Sequence, residues 1–283
     1  MQFSGISDEA GASIDVQIKA HLELGWKYIE LRSIEGVNLT DVEESKFDEI
    51  FGKLADAGLQ VSCFAAQIAN WARPISTPFE VDMEELKRAI PRMHRMGTKF
   101  IRIMSYPNDK DSPWEESSWK TEVVKRMKQL CRVAEDGDVM LLHENCSGWG
   151  GENNSNNLQL LQEINSPAFR QLFDTGNPIA HGHNSWDWYQ AVKDQIEYVH
   201  IKDGVATEDG CKFTYCGEGE GQTKRILESL DMSGYNGVIS IEPHLGMIIS
   251  DGKTEIDPEK LYRAYIKYGR KLMNLIEDVK NAK

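Results

Sequence analysis

The 283-residue sequence has no run of 18 apolar residues, which excludes a membrane-spanning helix of the usual kind. Its first residues, MQFSGISDEAG, lack the basic start and apolar run of a secretory leader, so the expected location is the cytoplasm. Cysteine is scarce and unpatterned. Cys63, Cys131, Cys146, Cys211 and Cys216 are odd in number and include no CxxC, which favours reduced thiols over a disulfide framework. Cys211 and Cys216 lack the second pair that a structural zinc site needs. Basic residues are outnumbered, 32 against 45, and a net charge of −13 repels nucleic acid and anionic lipid. No GxGxxG follows the first apolar run, so a dinucleotide cradle is unsupported.

What the sequence does have is rhythm. Eight short apolar runs read as strands: 3–7, 28–33, 59–65, 100–105, 139–144, 169–174, 197–202 and 237–242. Between them lie helical patterns. Phe47, Ile50, Phe51 and Leu54 share one face, with Gly58 as a stop. Asp82 and Glu85 read as a capping box, and Pro258 after Asp257 as the start of a long last helix. Strand–helix alternation implies parallel pairing. Eight units without a linker predict a single (β/α)₈ TIM barrel over residues 1–283, with a parallel closed sheet and outer helices.

Chemistry in such a barrel gathers at the C-terminal ends of the strands. The last four strands end in HisGluAsn, PheAsp, HisIleLys and IleGluProHis, delivering Glu144, Asp174, His200 and Glu242 at equivalent positions. Their spacings of 30, 26 and 42 residues are about one strand–helix unit each. Three carboxylates aimed at one small volume repel each other unless a cation or protons intervene. With one imidazole they form a hard, oxygen-rich set. It suits one divalent metal, Mn²⁺ first, with Mg²⁺, Co²⁺ or Zn²⁺ as alternatives.

The stretches LLHEN (141–145), FDTGNP (173–178), HIKDG (200–204) and GYNGVISIEPH (234–244) resemble the xylose-isomerase-like superfamily. Within it the chain is similar to the sugar isomerase/epimerase group, with hydroxypyruvate isomerase, ketohexose 3-epimerase, inosose dehydratase and the large subunit of C-glycoside deglycosidases among its members. The resemblance implies that Glu144, Asp174, His200 and Glu242 hold one metal, and that Glu144 and Glu242 are the acid/base pair. One position departs: ketohexose epimerases carry a histidine where this chain has Asn177. The implied activity is isomerisation or epimerisation of a non-phosphorylated keto-sugar through an enediolate. The alternative is β-elimination from a 3-keto-glycoside or keto-inositol; a non-catalytic sugar-binding barrel is a further one. Abasic-site nucleases share the superfamily, but the early strand ends lack their histidines and the charge opposes DNA.

Around this set, Lys202 falls on the same strand face as His200, either to bond a developing enediolate oxygen or to pair with Asp203. His143 should face the helices by alternation, yet a free imidazole there would be a well-matched base at neutral pH. Glu30 and Arg32 read as hydroxyl contacts or as an internal ion pair. Trp114, Trp149, His183 and Trp186 lie in the loops after the fourth, fifth and sixth strands, as candidates to stack on a sugar or aglycone. The loop over 204–221 carries Glu208, Asp209, Glu218 and Glu220 against Lys212 alone, which argues against a phosphate site there. The expected partners are a small sugar or glycoside and further copies of the chain, with a small β-rich subunit if it is a deglycosidase.

Overall fold

The computed structural model describes residues 1–208, 210–245, 247–250 and 253–281, with the backbone alone for 247–250 and 253–256. Asp209, counted above in the acidic loop, lies outside the described residues. The barrel strands are β1 (Gln2–Gly5), β2 (Tyr28–Leu31), β3 (Gln60–Ala65), β4 (Phe100–Ser105), β5 (Met140–Gly148), β6 (Phe169–Asp174), β7 (Ile196–Ile201) and β8 (Val238–Ile241). All pair in parallel, β1 with β8 and then each with its predecessor down to β2. A parallel bridge between Ile6 and Glu30 joins the two ends of that order. Every expected strand is present. β5 runs four residues beyond Glu144 because Gly148, at φ +90, pairs with Ser105 across a register shift.

Among the described residues, eight main helices cover the outside: α1 (Ile14–Glu23), α2 (Glu44–Ala57), α3 (Phe79–Met96), α4 (Glu116–Asp136), α5 (Asn154–Ile164), α6 (Ser185–Val192), α7 (Thr223–Met232) and α8 (Pro258–Asn281). Gly58 ends α2 in the left-handed conformation, φ +68, as its sequence position implies. The capping box does not form. α3 starts four residues earlier, after Pro78, and Asp82 and Glu85 are both buried and gripped by Arg73. An ion-pair partner from outside the helix outcompetes the local cap. No described helix is long and apolar enough to cross a membrane.

Alternation along the strands produces two cores. Residues such as Ile101, Ile103, Leu141, Phe173, Val199 and Ile239 pack outward against the helices. Cys63, Leu142, Leu172, Tyr198 and Val238, with Phe100 and Met140 against them, plug the barrel interior. Two residues further along β4 to β7 the inward face turns polar. Phe100 gives way to Arg102, Leu142 to Glu144, Leu172 to Asp174 and Tyr198 to His200. The apolar plug is therefore the floor of the site. Short hairpins extend from β2, β7 and β8: Ser33–Ile34 with Val37–Asn38, Asp203–Thr207 with Gly210–Thr214, and Met247–Ser250 with Lys253–Ile256.

Candidate metal centre

Glu144, Asp174, His200 and Glu242 converge above this floor, all buried, with one ligating atom of each within 4.8 Å of the others. His200 is fixed from below. Its Nε2 lies 3.0 and 3.1 Å from the two oxygens of Glu30, so a proton shared there leaves the Nδ1 lone pair directed into the cluster. Nδ1 is 3.4 Å from Glu144 Oε1 and 3.6 Å from Glu242 Oε2. Glu30 also accepts from the Tyr198 hydroxyl at 2.9 Å and the Ser240 hydroxyl at 2.6 Å, which locks its carboxylate. Asp174 is oriented by the amides of Gly176 and Asn177, which donate to Oδ1 at 2.8 and 2.6 Å.

Three buried atoms face the centre of the cluster: His200 Nδ1, which lacks a hydrogen-bond partner, and Asp174 Oδ2 and Glu242 Oε2, which both lie within ion-pair distance of Lys202. A buried acceptor left unsatisfied, as Nδ1 is, costs about 1–3 kcal/mol. A divalent cation would satisfy Nδ1 and the carboxylate oxygens that face it, so these residues fit a metal. Lys202 supplies part of the countercharge. Its Nζ lies 2.5 Å from Glu242 Oε2 and 3.2 Å from Asp174 Oδ2, and donates to Asn177 Oδ1 at 3.0 Å.

Electrostatics divides the carboxylates. Burial disfavours ionised Glu144, but Arg102, donating to Oε2 at 2.9 Å, holds its pKa down at about 2. Burial prevails at Asp174 and pushes it up to about 6 against the pull of Lys202. At Glu242 burial is overcome by Lys202 and His244, and the pKa lies well below the ordinary range. Burial opposes a charged His200, yet the Glu30, Glu144 and Glu242 carboxylates raise its affinity for a second proton. Proton and metal ion compete for the same Nδ1 lone pair.

Above the cluster opens a cavity of 560 Å³, its wall including Arg32, Arg102, Glu144, Asn177, Lys202 and Glu242. Asn177 joins two of the wall groups, donating to Glu144 Oε1 at 3.2 Å and accepting from Lys202. Lys202 thus faces the cavity as expected for its strand face, and pairs with Asp174 and Glu242 rather than with Asp203. Glu30 and Arg32 do not pair with each other. Glu30 sits beneath His200, while Arg32 reaches Asp8 at 3.0 Å and Glu242 at 3.2 Å.

Several expected contacts lie elsewhere. His143 is on the outer face of β5, stacked on Phe169 and 3.2 Å from Asn157 Nδ2, and burial pushes its pKa down to about 4. Trp149 is buried and donates its indole N–H to Glu116 at 2.5 Å. Trp186 tilts against Tyr189 with Arg225 3.8 Å above its ring, and His183 meets Trp188 edge-on. Trp114 is held through its backbone by Asn108. None of these four residues lines the cavity. The cavity wall does include Glu9, Arg102, Cys146, His244 and the exposed Trp71, which the strand-end reading overlooked. Arg102 had a usable signal, a lone charge in the apolar run FIRIMS. Glu9 had none, because its partner His244, 2.7 Å away, is 235 residues distant in sequence.

The xylose isomerase-like TIM barrel family matches residues 18–272. The chain is 24% identical over 194 residues to an inosose dehydratase of Geobacillus thermodenitrificans, covering 59% of this chain and 64% of that protein. It is 25% identical over 176 residues to a 2-epi-5-epi-valiolone 7-phosphate 2-epimerase of an Actinoplanes species, covering 62% and 61%. The matches thus span under two thirds of either relative. Among solved structures, a D-tagatose 3-epimerase-like protein superposes with a TM-score of 0.77 at 17% identity, covering 100% of this chain and 99% of that one.

Proposed function

The chain belongs to the xylose isomerase-like TIM barrel family, and from that premise we propose that it is a divalent-metal-dependent isomerase or epimerase of a non-phosphorylated keto-sugar. The observation that carries the reading is the buried cluster of three carboxylates around an imidazole whose inward Nδ1 lacks a partner, at the base of an open cavity. A divalent ion held by Glu144, Asp174, His200 and Glu242 would polarise the substrate carbonyl and acidify the neighbouring C–H. Three carboxylates and one imidazole favour Mn²⁺.

The residues then divide the proton work. Glu144 and Glu242 approach the imidazole from β5 and β8, with two strands between them, so each reaches a different side of a bound sugar. One removes the α-proton to give the enediolate and the other returns a proton. Arg102 and Lys202 keep the two glutamates ionised. Carboxylates this acidic are weak bases, so abstraction depends on the acidified C–H. Lys202 Nζ is the donor nearest the cluster and would hold the developing oxyanion, with Asn177 fixing its position.

The likeness to the inosose dehydratase favours a second reading, β-elimination, which starts with the same proton removal. A small β-rich subunit belongs to that reading alone. The test is incubation of the metal-loaded protein with keto-sugars and 3-keto-glycosides in D₂O. Deuterium should enter next to the carbonyl, and the E242Q protein should lose this exchange while still binding metal. Release of water or an aglycone would mark elimination; no uptake with any compound would contradict both readings.

A further inference from the structure

The glycine-rich stretch GEGEG (217–221), after β7, closes around Asp203, a wholly buried carboxylate. Oδ1 accepts from the amides of Gly204 and Gly221, both at 2.9 Å. Oδ2 accepts from the amide of Gly217 at 2.8 Å and the hydroxyl of Thr223, the first residue of α7, at 3.3 Å. Two further amides of the stretch are also committed, Glu218 to the Tyr215 carbonyl at 3.0 Å and Glu220 to the Gly204 carbonyl at 2.7 Å. The glycines serve this closure. A Cβ on Gly219 would run into Asp203 Oδ1 and the Gly204 carbonyl, and one on Gly221 would sit 2.9 Å from Oδ1.

Barrels that bind phosphate do so with backbone amides of the loops after the seventh and eighth strands, at a helix N-terminus. Here three amides of the seventh loop, joined by the hydroxyl of Thr223 at the start of α7, close on the chain's own carboxylate. We infer that Asp203 is a built-in anion that fills the phosphate position after β7, and so makes the protein select substrates without a phosphate group. The substrate half of this inference rests on the keto-sugar reading; the anion half does not. A shallow pocket lined by Asp203, Gly217, Thr223, Lys224 and Arg225 lies beside the buried carboxylate, so its removal would give an external anion a route to the position.

The experiment is thermal denaturation of metal-loaded parent and Asp203→Ala proteins in phosphate or sulfate, against chloride at equal ionic strength. Asp203→Ala should melt lower in chloride and recover saturably with either oxyanion, by about 3 °C at ten times the half-saturating concentration. The parent, which has the same metal centre, should show no such response. An unrescued Asp203→Ala protein, or a parent stabilised to the same extent, would overturn the inference; a merely structural aspartate gives the first of these. Should the variant not fold, the parent decides. Its Gly217 and Gly221 amide resonances should be unmoved by phosphate, and a saturable shift would overturn the inference. No sugar enters these measurements, so their failure is separate from a failure of deuterium uptake.

Discussion

At His200 the ring is aimed by Glu30, whose carboxylate is itself held by Tyr198 and Ser240. Loss of such outer partners typically weakens metal binding by about 10–100-fold. E30Q should show that loss in a calorimetric Mn²⁺ titration, with the fold retained by circular dichroism; unchanged affinity would mean that Glu30 does not orient the imidazole. The four inward residues of the cluster were legible in the sequence because each ends a strand on the same face, about one strand–helix unit after the last. Their supporting partners were less so. Arg102 meets Glu144 across the neighbouring strands β4 and β5, whereas Glu30 and His200 are 170 residues apart and only the closed barrel brings them into contact.

At the scale of elements, the strands announced themselves through apolar runs and the helices through periodicity, but their ends answer to tertiary contacts. β5 outruns its apolar stretch because Gly148 lies against the backbone of β4. A Cβ there would overlap the Ser105 carbonyl group and come within 2.6 Å of the Tyr106 nitrogen, at a φ that side chains rarely adopt. G148A should therefore destabilise the protein by about 2 kcal/mol or more in urea unfolding. A change below about 0.5 kcal/mol, the scale of ordinary surface substitutions, would show that the β4–β5 contact is slack. The tryptophan-bearing loops teach the same lesson. Their composition suggested a sugar platform, whereas Trp149 is buried against Glu116 of α4 and Trp186 packs on Tyr189 within α6.

For the molecule as a whole, acid sensitivity follows from histidines buried as neutral rings. His21 on α1 lies 2.8 Å from the Gln17 carbonyl and 3.2 Å from the Tyr265 hydroxyl of α8, and burial pushes its pKa from 6.5 down to about 4. Between those values the unfolded chain takes up a proton that the folded chain refuses. The neutral ring's contribution is thus intact above pH 6.5 and declines as pH falls to 4, by about 3 kcal/mol in total. Unfolding midpoints measured across that range should fall less steeply in H21Q than in the parent; equal slopes would contradict the assignment. The barrel exists, on this account, to hold four ligating side chains from β5 to β8 and the strand ends around one cation. The direct measurement is metal content of the purified protein after Mn²⁺ loading and removal of excess, beside an Asp174→Ala protein of unchanged fold. One ion per chain in the parent and none in the variant is the predicted result. A parent that retains no stoichiometric metal, or a variant that keeps it, would contradict the account.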